Sequence, residues 1–562
     1  MKNMLKEFFS VKGTTPMVVK CIIISLIYAF LNTRVTIWIA NVLENANDYN
    51  MMIHYLTLVL IEFTITIVIS FFRNKYTKLI TGTAFTELSN RVARKILDSD
   101  YDAFTKNGES YMQTILQSTG SVSEAGRLCM DLFNSSANFI ILTISLCIIE
   151  IRLIVPIIII YSVGAFVTYK YSKKINKIDD KNNKLRHTRN DEVQKIISGF
   201  AEVRSNGTET YHYSRIMKYN NDILDCLIRK TRYVASMNMS FEMVDSFITT
   251  AVILFSIVAI PQGLATSVAM TMVIYAWRLL GPLIDIVFTI DENSVRLVDF
   301  KKYKEFMDSE ITIKDGKIKL ESFDSSIRFE NVGFKYRNSD TVLDGISFTV
   351  RKGEKIGICG HSGGGKSTLM KLIPRFYDTT EGRILIDGID IREFTLSSLR
   401  NKIGIVHQSN YIFKGTIKEN IAYGISNITE TDLITACKKA NIYDFIKSLH
   451  EGFDTDVGPN GLELSGGQQQ RVSLARIFLN QPDIILLDEA TSALDNESEA
   501  IVQEALNMFS DKTIITVAHR LSTIKDSDRI FVIDEHKIVE FGTHQELINK
   551  HGFYYNLYSV KQ

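Results

Sequence analysis

The sequence predicts a multi-domain membrane protein, in which an all-α transmembrane domain of six helices precedes an α/β domain of the P-loop NTPase class. Three observations lead to this fold class. The long apolar segments all lie before about residue 290 of the 562 residues, short apolar strands alternate with helical segments after about residue 325, and a glycine-rich motif separates one such strand from a helix. Since 562 residues exceed what one hydrophobic core organises, we expect two domains, 1–309 and 310–562.

The overall composition excludes some classes of protein. Lys and Arg total 64 and Asp and Glu total 63, so the net charge of +1 indicates no nucleic-acid partner. The six cysteines form no C-x-x-C pair, so neither a zinc site nor a disulfide framework is expected. The basic N-terminus lacks a short apolar core with a small-residue cleavage site, which argues against a removable signal peptide.

Six segments have the roughly 20 mostly apolar residues that a membrane helix needs. They lie near 17–43, 51–72, 128–150, 153–170, 239–260 and 264–288. Two of the connections between them, 73–127 and 171–238, are long and polar, whereas the others are brief. Both long connections are rich in Lys and Arg, which predicts that they face the cytoplasm. We therefore expect a multi-pass protein of the cytoplasmic membrane with both termini in the cytoplasm.

The long connections also show the helical spacing of apolar residues, as in LSNRVARKILDSDYDAF. This spacing predicts membrane helices that continue well past the bilayer. The alternative is a pair of loosely folded loops.

A phosphate-binding loop follows the apolar strand KIGIC. It comprises Gly360, His361, Ser362, Gly363, Gly364, Gly365, Lys366 and Ser367, and Thr368 comes next in the following helix. Glycines let such a loop curl so that backbone N–H groups point inward, and the helix start adds a positive dipole end. Lys366 is expected to reach the β and γ phosphates and Ser367 to offer its hydroxyl to Mg²⁺. The alternative is a flexible glycine loop that matches by chance.

An acidic pair ends a second apolar strand about 120 residues further on. Ile484 to Leu487 predict a buried parallel strand, whose carboxyl end carries Asp488 and Glu489. Asp488 fits a magnesium partner, and Glu489 fits the base that orients or deprotonates an attacking water. Taken alone, such a pair is more often a solvated turn.

The segment Leu464-Ser465-Gly466-Gly467-Gln468-Gln469-Gln470-Arg471 resembles the signature of the ATP-binding cassette (ABC) family. Further positions match the family and take their roles from the resemblance: Tyr336 as the aromatic on adenine, Gln408 between ATP, Mg²⁺ and the transport domain, Asp495 at the dimer contact, and His519 at the γ-phosphate. With six helices before the cassette, the chain resembles an exporter-type half-transporter. One departure is Pro459, where the family usually has an acid that touches the cytoplasmic loops.

The resemblance implies that a second chain completes each ATP site. Ser465, Gly466, Gly467 and Gln468 would close over nucleotide bound by the partner, and the chain has only one cassette and one helix set. Because Glu489 and His519 are both present, a homodimer is favoured, and a heterodimer with a similar half-transporter is the alternative. The loop tips near Tyr101 to Lys106 and Arg204 to Tyr211 would couple the cassettes to the membrane helices.

Charged residues inside the predicted spans bear on the cargo. Arg34 and Glu62 both lie near mid-bilayer and could pair; Glu242, Asp245 and Arg278 lie roughly 22–29 Å from the outer end. These charges either line a partly polar cavity or form interhelical salt bridges. The expected function is ATP-driven export of an amphipathic small molecule, peptide or lipid, in contact with membrane lipids. An importer or an ATP-gated channel are the alternatives, and a purely soluble ATPase is disfavoured by six spans.

Overall fold

A computed structural model describes residues 2–149, 154–262, 264–337, 340–361, 363–408, 410–425, 427–458, 461–488, 504, 508–509, 511–518 and 520–560. At 2, 102–114, 117, 154–161, 163, 165, 168, 280, 287, 290–295, 298 and 560 it describes the backbone only. Contacts divide the chain into two compact units. The first comprises Met1–Ser99 and Lys106–Glu310, and the second comprises Asp100–Thr105 and Ile311–Gln562.

Long helices make up the part of the chain before residue 310. They are α1 Lys2–Phe9, α2 Thr14–Glu44, α3 Tyr49–Asp98, α4 Tyr101–Ile149, α5 Ile154–Ser198, α6 Phe200–Ser205, α7 Glu209–Ala259 and α8 Thr266–Met307. Within the described residues, five helical segments are long and apolar enough to cross a membrane, and they lie on α2, α3, α4, α7 and α8. The sixth predicted span falls on α5, where the side chains of residues 154–161 lie outside the described set.

The two long polar connections are helical, as the apolar spacing predicted. Helix α3 alone has 50 residues, which corresponds to about 75 Å, more than twice the roughly 30 Å of a hydrocarbon core. In the second connection the short helix α6 lies between the ends of α5 and α7. The alternative of loosely folded loops is therefore wrong for the described backbone.

Local chemistry explains the sharp turn between α2 and α3. The Asp48 side chain caps α3 by accepting hydrogen bonds from the backbone N–H groups of Asn50 and Met51.

Pro16 lies in the first turn of α2, where its missing N–H costs no helical hydrogen bond. Helix α8 instead contains Pro282 in its interior, which removes one such bond.

The first unit has an apolar core between its helices and an apolar outer surface. Tyr275 and Leu279 of α8 are fully buried and belong to one cluster with Phe241 and Ile248 of α7. Side chains on the outer faces are large, apolar and exposed, such as Phe71 of α3, which is 64% exposed. Such a surface is stable against lipid tails, which are as apolar as the side chains themselves.

The second unit is built on three sheets. Its strands are β1 Ser326–Lys335, β2 Thr341–Arg351, β3 Lys355–Gly360, β4 Glu381–Ile386, β5 Ile389–Asp390, β6 Ile403–Val406, β7 Gly415–Thr416, β8 Asp456–Val457, β9 Ile484–Asp488, β10 Thr513–Val517, β11 Arg529–Asp534 and β12 Lys537–Gly542. Its further helices are α9 Lys366–Leu372, α10 Leu396–Asn401, α11 Ile417–Ile421, α12 Glu430–Lys439, α13 Tyr443–Ser448, α14 Gly466–Asn480, α15 His544–Asn549 and α16 Phe553–Val560.

The central sheet positions the functional motifs. Its strand order is β12-β11-β3-β10-β9-β6, and every neighbouring pair is parallel except β11 with β12. Ile484 to Leu487 of β9 are all buried, as their apolar run predicted. Because these strands are parallel, the carboxyl ends of β3, β10, β9 and β6 lie side by side at one edge of the sheet.

Candidate active site

The glycine loop links the end of β3 to the start of α9. Gly360, Gly363 and Gly365 have φ angles of +145°, +85° and +94°, a backbone region that side chains with a Cβ rarely adopt. A Cβ on Gly360 would lie 1.9 Å from the carbonyl oxygen of Ile533, so contact with β11 also requires glycine there. Gly364 keeps a negative φ, and its N–H donates to the carbonyl oxygen of His361 at 3.3 Å.

Lys366 lies inside the curl of this loop. Its ammonium donates to the carbonyl oxygens of Gly360 at 3.1 Å and His361 at 2.7 Å, and the residue is only 5% exposed. The ammonium therefore lies where the loop backbone converges, which is where a phosphate group would meet both N–H groups and positive charge. The His361 imidazole points elsewhere: its Nδ1 is 3.2 Å from Asp534, and its ring contacts Phe553 of α16.

Ser367 and Asp488 come together from distant parts of the sequence. The Ser367 hydroxyl donates to the Asp488 carboxylate at 3.3 Å. A hydroxyl and a carboxylate are hard oxygen ligands of the kind that Mg²⁺ prefers, so the two residues fit such an ion. Gln408 lies two residues after β6, whose partner in the sheet is β9, so the strand order brings its segment to the same edge.

An aromatic cluster lies beside the loop. The Tyr336 hydroxyl is 3.0 Å from the hydroxyl of Thr368, the residue that follows Ser367 in the chain. Its ring also contacts Phe334 and Tyr377 edge to face, with centroids 4.9 and 5.3 Å apart. These contacts hold Tyr336 close to the phosphate-binding helix, as a ring that stacks on a nucleotide base requires.

The Ser-Gly-Gly-Gln segment forms the start of α14. Ser465 is the N-cap: its hydroxyl accepts from the backbone N–H of Gln468 at 3.3 Å, and its own N–H donates to the Gln468 side chain at 2.8 Å. Gln468 thus closes a capping box, which the Ser-x-x-Gln spacing could have predicted. Gly466 has open space around its Cβ position and Gly467 is buried, and the start of this 15-residue helix presents free N–H groups.

Several residues singled out from the sequence lie outside the described part of the chain. They are Ser362, Pro459, Glu489, Asp495 and His519. Two of them are located by their neighbours: Glu489 follows Asp488 directly, and His519 follows Ala518, just after β10.

The sequence motifs did not reveal a contact made by the first loop tip. Asp100 accepts hydrogen bonds from the N–H and hydroxyl of Thr312 at 2.8 and 2.6 Å. Tyr101 stacks against Phe376, which follows α9. The family resemblance pointed to the tip near Tyr101 to Lys106, but not to its partner Phe376, which lies in the segment PRFYD shortly after the phosphate loop.

The transmembrane charges fall into two groups. The Arg34 guanidinium is 3.4 Å from the Glu62 carboxylate, which also accepts a hydrogen bond from the Trp38 indole, so the predicted pair forms and ties α2 to α3. Arg278 lines a cavity in the first unit. Glu242 and Asp245, expected at a similar depth, are not among the residues that line it.

Comparison with known proteins is consistent with this geometry. Residues 18–283 match the family model described as ABC transporter transmembrane region, and residues 343–492 match the one described as ABC transporter. The chain is 37% identical over 420 residues to a putative multidrug export ATP-binding/permease protein of Staphylococcus aureus strain NCTC 8325, covering 73% of this chain and 72% of that protein. The relative from strain COL gives the same figures. Among solved structures, a bacterial Atm1-family ABC exporter with ATP bound superposes with a TM-score of 0.84 at 26% identity, covering 98% of both chains.

Proposed function

Since this chain belongs to the ABC transporter family and is an ATPase coupled to transport, we propose that it exports a substrate across the cytoplasmic membrane by alternating access as a dimer. The observation that carries the proposal is the contact of Ser367 with Asp488 at 3.3 Å, beside the buried Lys366 ammonium, in a chain with apolar membrane helices. We assign residues 1–309 to the transmembrane domain and 310–562 to the cassette.

The cassette residues divide into those that hold ATP and those that act on it. The loop from Gly360 to Ser367, with Thr368, binds the phosphates through backbone N–H groups and the Lys366 ammonium. Tyr336 stacks on the adenine. Glu489 orients or deprotonates the water that attacks the γ-phosphorus, and ADP is the leaving group. His519 contacts the γ-phosphate, and Gln408 lies between ATP and the transmembrane domain.

The residues that would hold Mg²⁺ are Ser367, Gln408 and Asp488. All three offer oxygen atoms, and the Ser367 hydroxyl already contacts the Asp488 carboxylate. When bound, this ion would neutralise charge on the phosphate oxygens. The protein's own contribution is positional: the buried parallel strand β9 holds the Asp488 carboxylate at the edge of the sheet, next to the Ser367 hydroxyl.

A second copy of the chain supplies the other half of each site. Ser465, Gly466, Gly467 and Gln468 form a capped helix start, and the N–H groups of Gly466 and Gly467 take no part in the capping box, so they are available to a phosphate of the partner's ATP. Asp495 lies at the contact between cassettes. A homodimer with two complete sites is favoured, because this one chain contains every required residue type; a heterodimer with a similar half-transporter is the alternative.

The membrane orientation follows from the charge of the connections. Both helical extensions are rich in Lys and Arg, which places them and both termini in the cytoplasm. The relatives named as multidrug exporters support an amphipathic cargo, and a peptide or lipid shares that chemistry. An importer or an ATP-gated channel on the same scaffold is the rival function.

Inside-out membrane vesicles containing the protein test this function. In them, an exporter accumulates amphipathic dyes when ATP is hydrolysed, and not when a non-hydrolysable ATP analogue is supplied instead. A channel would equilibrate the dye with either nucleotide, and an importer would empty preloaded vesicles. Passive flux with the analogue, or ATP-dependent loss of preloaded dye, would contradict export.

A further inference from the structure

The first unit contains a polar cavity of about 560 Å³ between α2, α3, α4 and α8. Its lining includes three arginines, Arg73, Arg127 and Arg278, and two aspartates, Asp131 and Asp285, together with three asparagines. These residues lie within or next to the predicted spans, where charge is costly and is kept for pairing or for a transport pathway. The way these charges pair therefore indicates what the cavity is for.

One of the three arginines is already neutralised by its neighbours. The Arg127 guanidinium is 2.5 Å from the Glu124 carboxylate and 2.8 Å from the Asp131 carboxylate, both on the same helix. Its charge and that of Asp131 are thus satisfied within α4. These ion pairs give Arg127 and Asp131 a structural role within the cavity lining.

The other two arginines have no carboxylate partner in the part of the chain that the structure describes. The Arg73 guanidinium lies 4.1 Å from the centre of the Tyr28 ring. Arg278 donates to the carbonyl oxygen of Asn32 at 2.9 Å and to the hydroxyl of Thr36. Both arginines are thus held by neutral groups and keep their full positive charge toward the cavity.

The residues that the two guanidiniums contact lie on one helix face. Tyr28 and Asn32 lie four positions apart on α2, so they share a face at a separation of about 5–6 Å. Arg73 contacts the Tyr28 ring, and Arg278 contacts the Asn32 carbonyl oxygen. Two guanidinium groups that line one cavity can hold two oxyanions, or both sides of one polyanionic head group.

Neutral polar groups complete the lining. The Asn134 side-chain oxygen is buried and, among the described residues, has no hydrogen-bond partner. Asp285 adds a carboxylate to the lining beside these neutral groups. An acceptor without a partner in a cavity costs stability unless a ligand or water satisfies it, which indicates an occupant with N–H or O–H donors.

We propose that this cavity binds organic anions, whose carboxylate or phosphate groups are held by Arg73 and Arg278, as the cargo of the exporter. The inference rests on the proposed export function and deepens it by naming the class of cargo. A cationic amphiphile of the same size would meet two guanidiniums and, outside the ion pairs of Arg127, one carboxylate, that of Asp285, so the balance of charge in the lining disfavours it. Tyr28 and Phe288 supply the apolar contacts for the rest of the molecule.

Two dyes with the same three-ring skeleton and opposite charge test the proposal. The protein is placed in phosphatidylcholine nanodiscs, and binding of carboxyfluorescein and of rhodamine 123 is followed by fluorescence anisotropy. We expect carboxyfluorescein to bind at least about tenfold more tightly, because each charge-assisted hydrogen bond is among the stronger ones in proteins. Equal binding, tighter binding of rhodamine 123, or no detectable binding of carboxyfluorescein would overturn the proposal.

Substitutions locate the binding to this cavity. Arg73→Gln and Arg278→Gln should each weaken carboxyfluorescein binding by about three- to tenfold, whereas Arg73→Lys and Arg278→Lys keep the charge and should lose less. Arg94→Gln is the matched control, since Arg94 is exposed and lies outside the cavity. Thermal unfolding of each variant shows whether it is folded, and an unchanged affinity in both folded glutamine variants would exclude the cavity as the anion site.

A lipid titration distinguishes a membrane anion from a soluble one. If a phospholipid head group is the natural occupant, phosphatidylglycerol in the nanodiscs should weaken dye binding to the unchanged protein and not to the Arg278→Gln variant. No effect of phosphatidylglycerol indicates a soluble organic anion. ATP hydrolysis in the same discs is measured in parallel, so that failure of anion binding with intact hydrolysis contradicts the cargo class and leaves the proposed export function standing.

Discussion

Tyr101 stacks on Phe376, with ring centroids 5.2 Å apart and ring planes 8° from parallel. Tyr101 is the first residue of α4, and Phe376 follows the phosphate-binding helix α9. Tyr101 also contacts Tyr377, which contacts Tyr336, whose hydroxyl reaches Thr368. Two ring contacts and one hydroxyl contact therefore join Tyr101 to Thr368 within the second unit.

Removing the Tyr101 ring should uncouple hydrolysis from transport. Tyr101→Ala deletes a stacked aromatic pair worth about 1 kcal/mol, so we expect ATP-dependent dye accumulation to fall by about fivefold, while ATP hydrolysis in detergent changes less than about twofold. Tyr101→Phe keeps the ring and should retain transport. The control is Tyr49→Ala, since Tyr49 is 71% exposed at the start of α3. Equal losses of hydrolysis and transport would contradict a coupling role.

Glu489→Gln should retain ATP binding and lower the rate of hydrolysis by about 10²- to 10⁴-fold, because an amide cannot accept the proton of the attacking water. Phosphate release and retention of labelled ATP are measured on the same purified sample. Glu430→Gln is the matched control: Glu430 is an exposed carboxylate at the start of α12. Normal turnover by the Glu489 variant would remove the assignment of the base.

A mixture of two inactive chains should recover activity if each site is shared. Lys366→Ala disables the phosphate loop, and Gly466→Arg blocks the α14 start, where a Cβ meets open space and the fold of the chain itself is spared. In dimers that contain one chain of each kind, one composite site is intact. With random pairing, about one quarter of all sites are therefore functional.

ATP hydrolysis of the co-expressed mixture is compared with each variant alone. The expected value is up to about one quarter of the unchanged protein. A mixture no more active than the separate variants would indicate that the glycine loop and the α14 start do not meet across two chains.

The ion pair of Glu354 with Arg529 should stabilise the cassette in a pH-dependent way. Glu354 directly precedes β3 and accepts hydrogen bonds from the Arg529 guanidinium and from the backbone N–H of Arg351, each at 2.8 Å. Burial raises the Glu354 pKa, but these hydrogen bonds and the nearby guanidinium outweigh burial and leave the pKa below its ordinary value of 4.5.

Because the folded-state pKa of Glu354 is lowered, its contribution to stability is present above the unfolded-state pKa and is lost as the pH falls through the folded-state pKa. Glu354→Gln should therefore lower the unfolding temperature of the cassette by the same amount from about pH 5.5 to pH 8, and the difference should shrink as the pH falls below about 4.5 toward the folded-state pKa. Scanning calorimetry at these pH values measures it. A difference that grows as the pH falls would contradict this sign.

The membrane spans and the nucleotide motifs were predictable from the sequence because each depends on residues close together along the chain. Apolar periodicity located the helices, and the order of strands and motifs placed Asp488 at the edge of the sheet that carries the glycine loop. The depth estimate also predicted the pair of Arg34 and Glu62, since both residues lie at one level on helices joined by a short turn.

The depth of a charged residue in the membrane was not enough to predict whether it lines the cavity. Glu242, Asp245 and Arg278 lie at similar depths, yet only Arg278 lines the cavity, whose aspartates are instead Asp131 and Asp285. Depth gives a position along the helix axis, whereas the direction in which a side chain points depends on the rotation of each helix. That rotation is set by packing against neighbours, such as the contact of the Tyr275 hydroxyl with the Thr33 carbonyl oxygen.

Periodicity and contiguous motifs express local chemistry, so they were enough to predict membrane-spanning helices and an ATP-hydrolysing cassette. The contact of Tyr101 with Phe376, and the position of Arg73 and Arg278 on one cavity, became visible in the folded chain alone. Such contacts join residues hundreds of positions apart, and they form only when whole helices and sheets have packed, which no local pattern records.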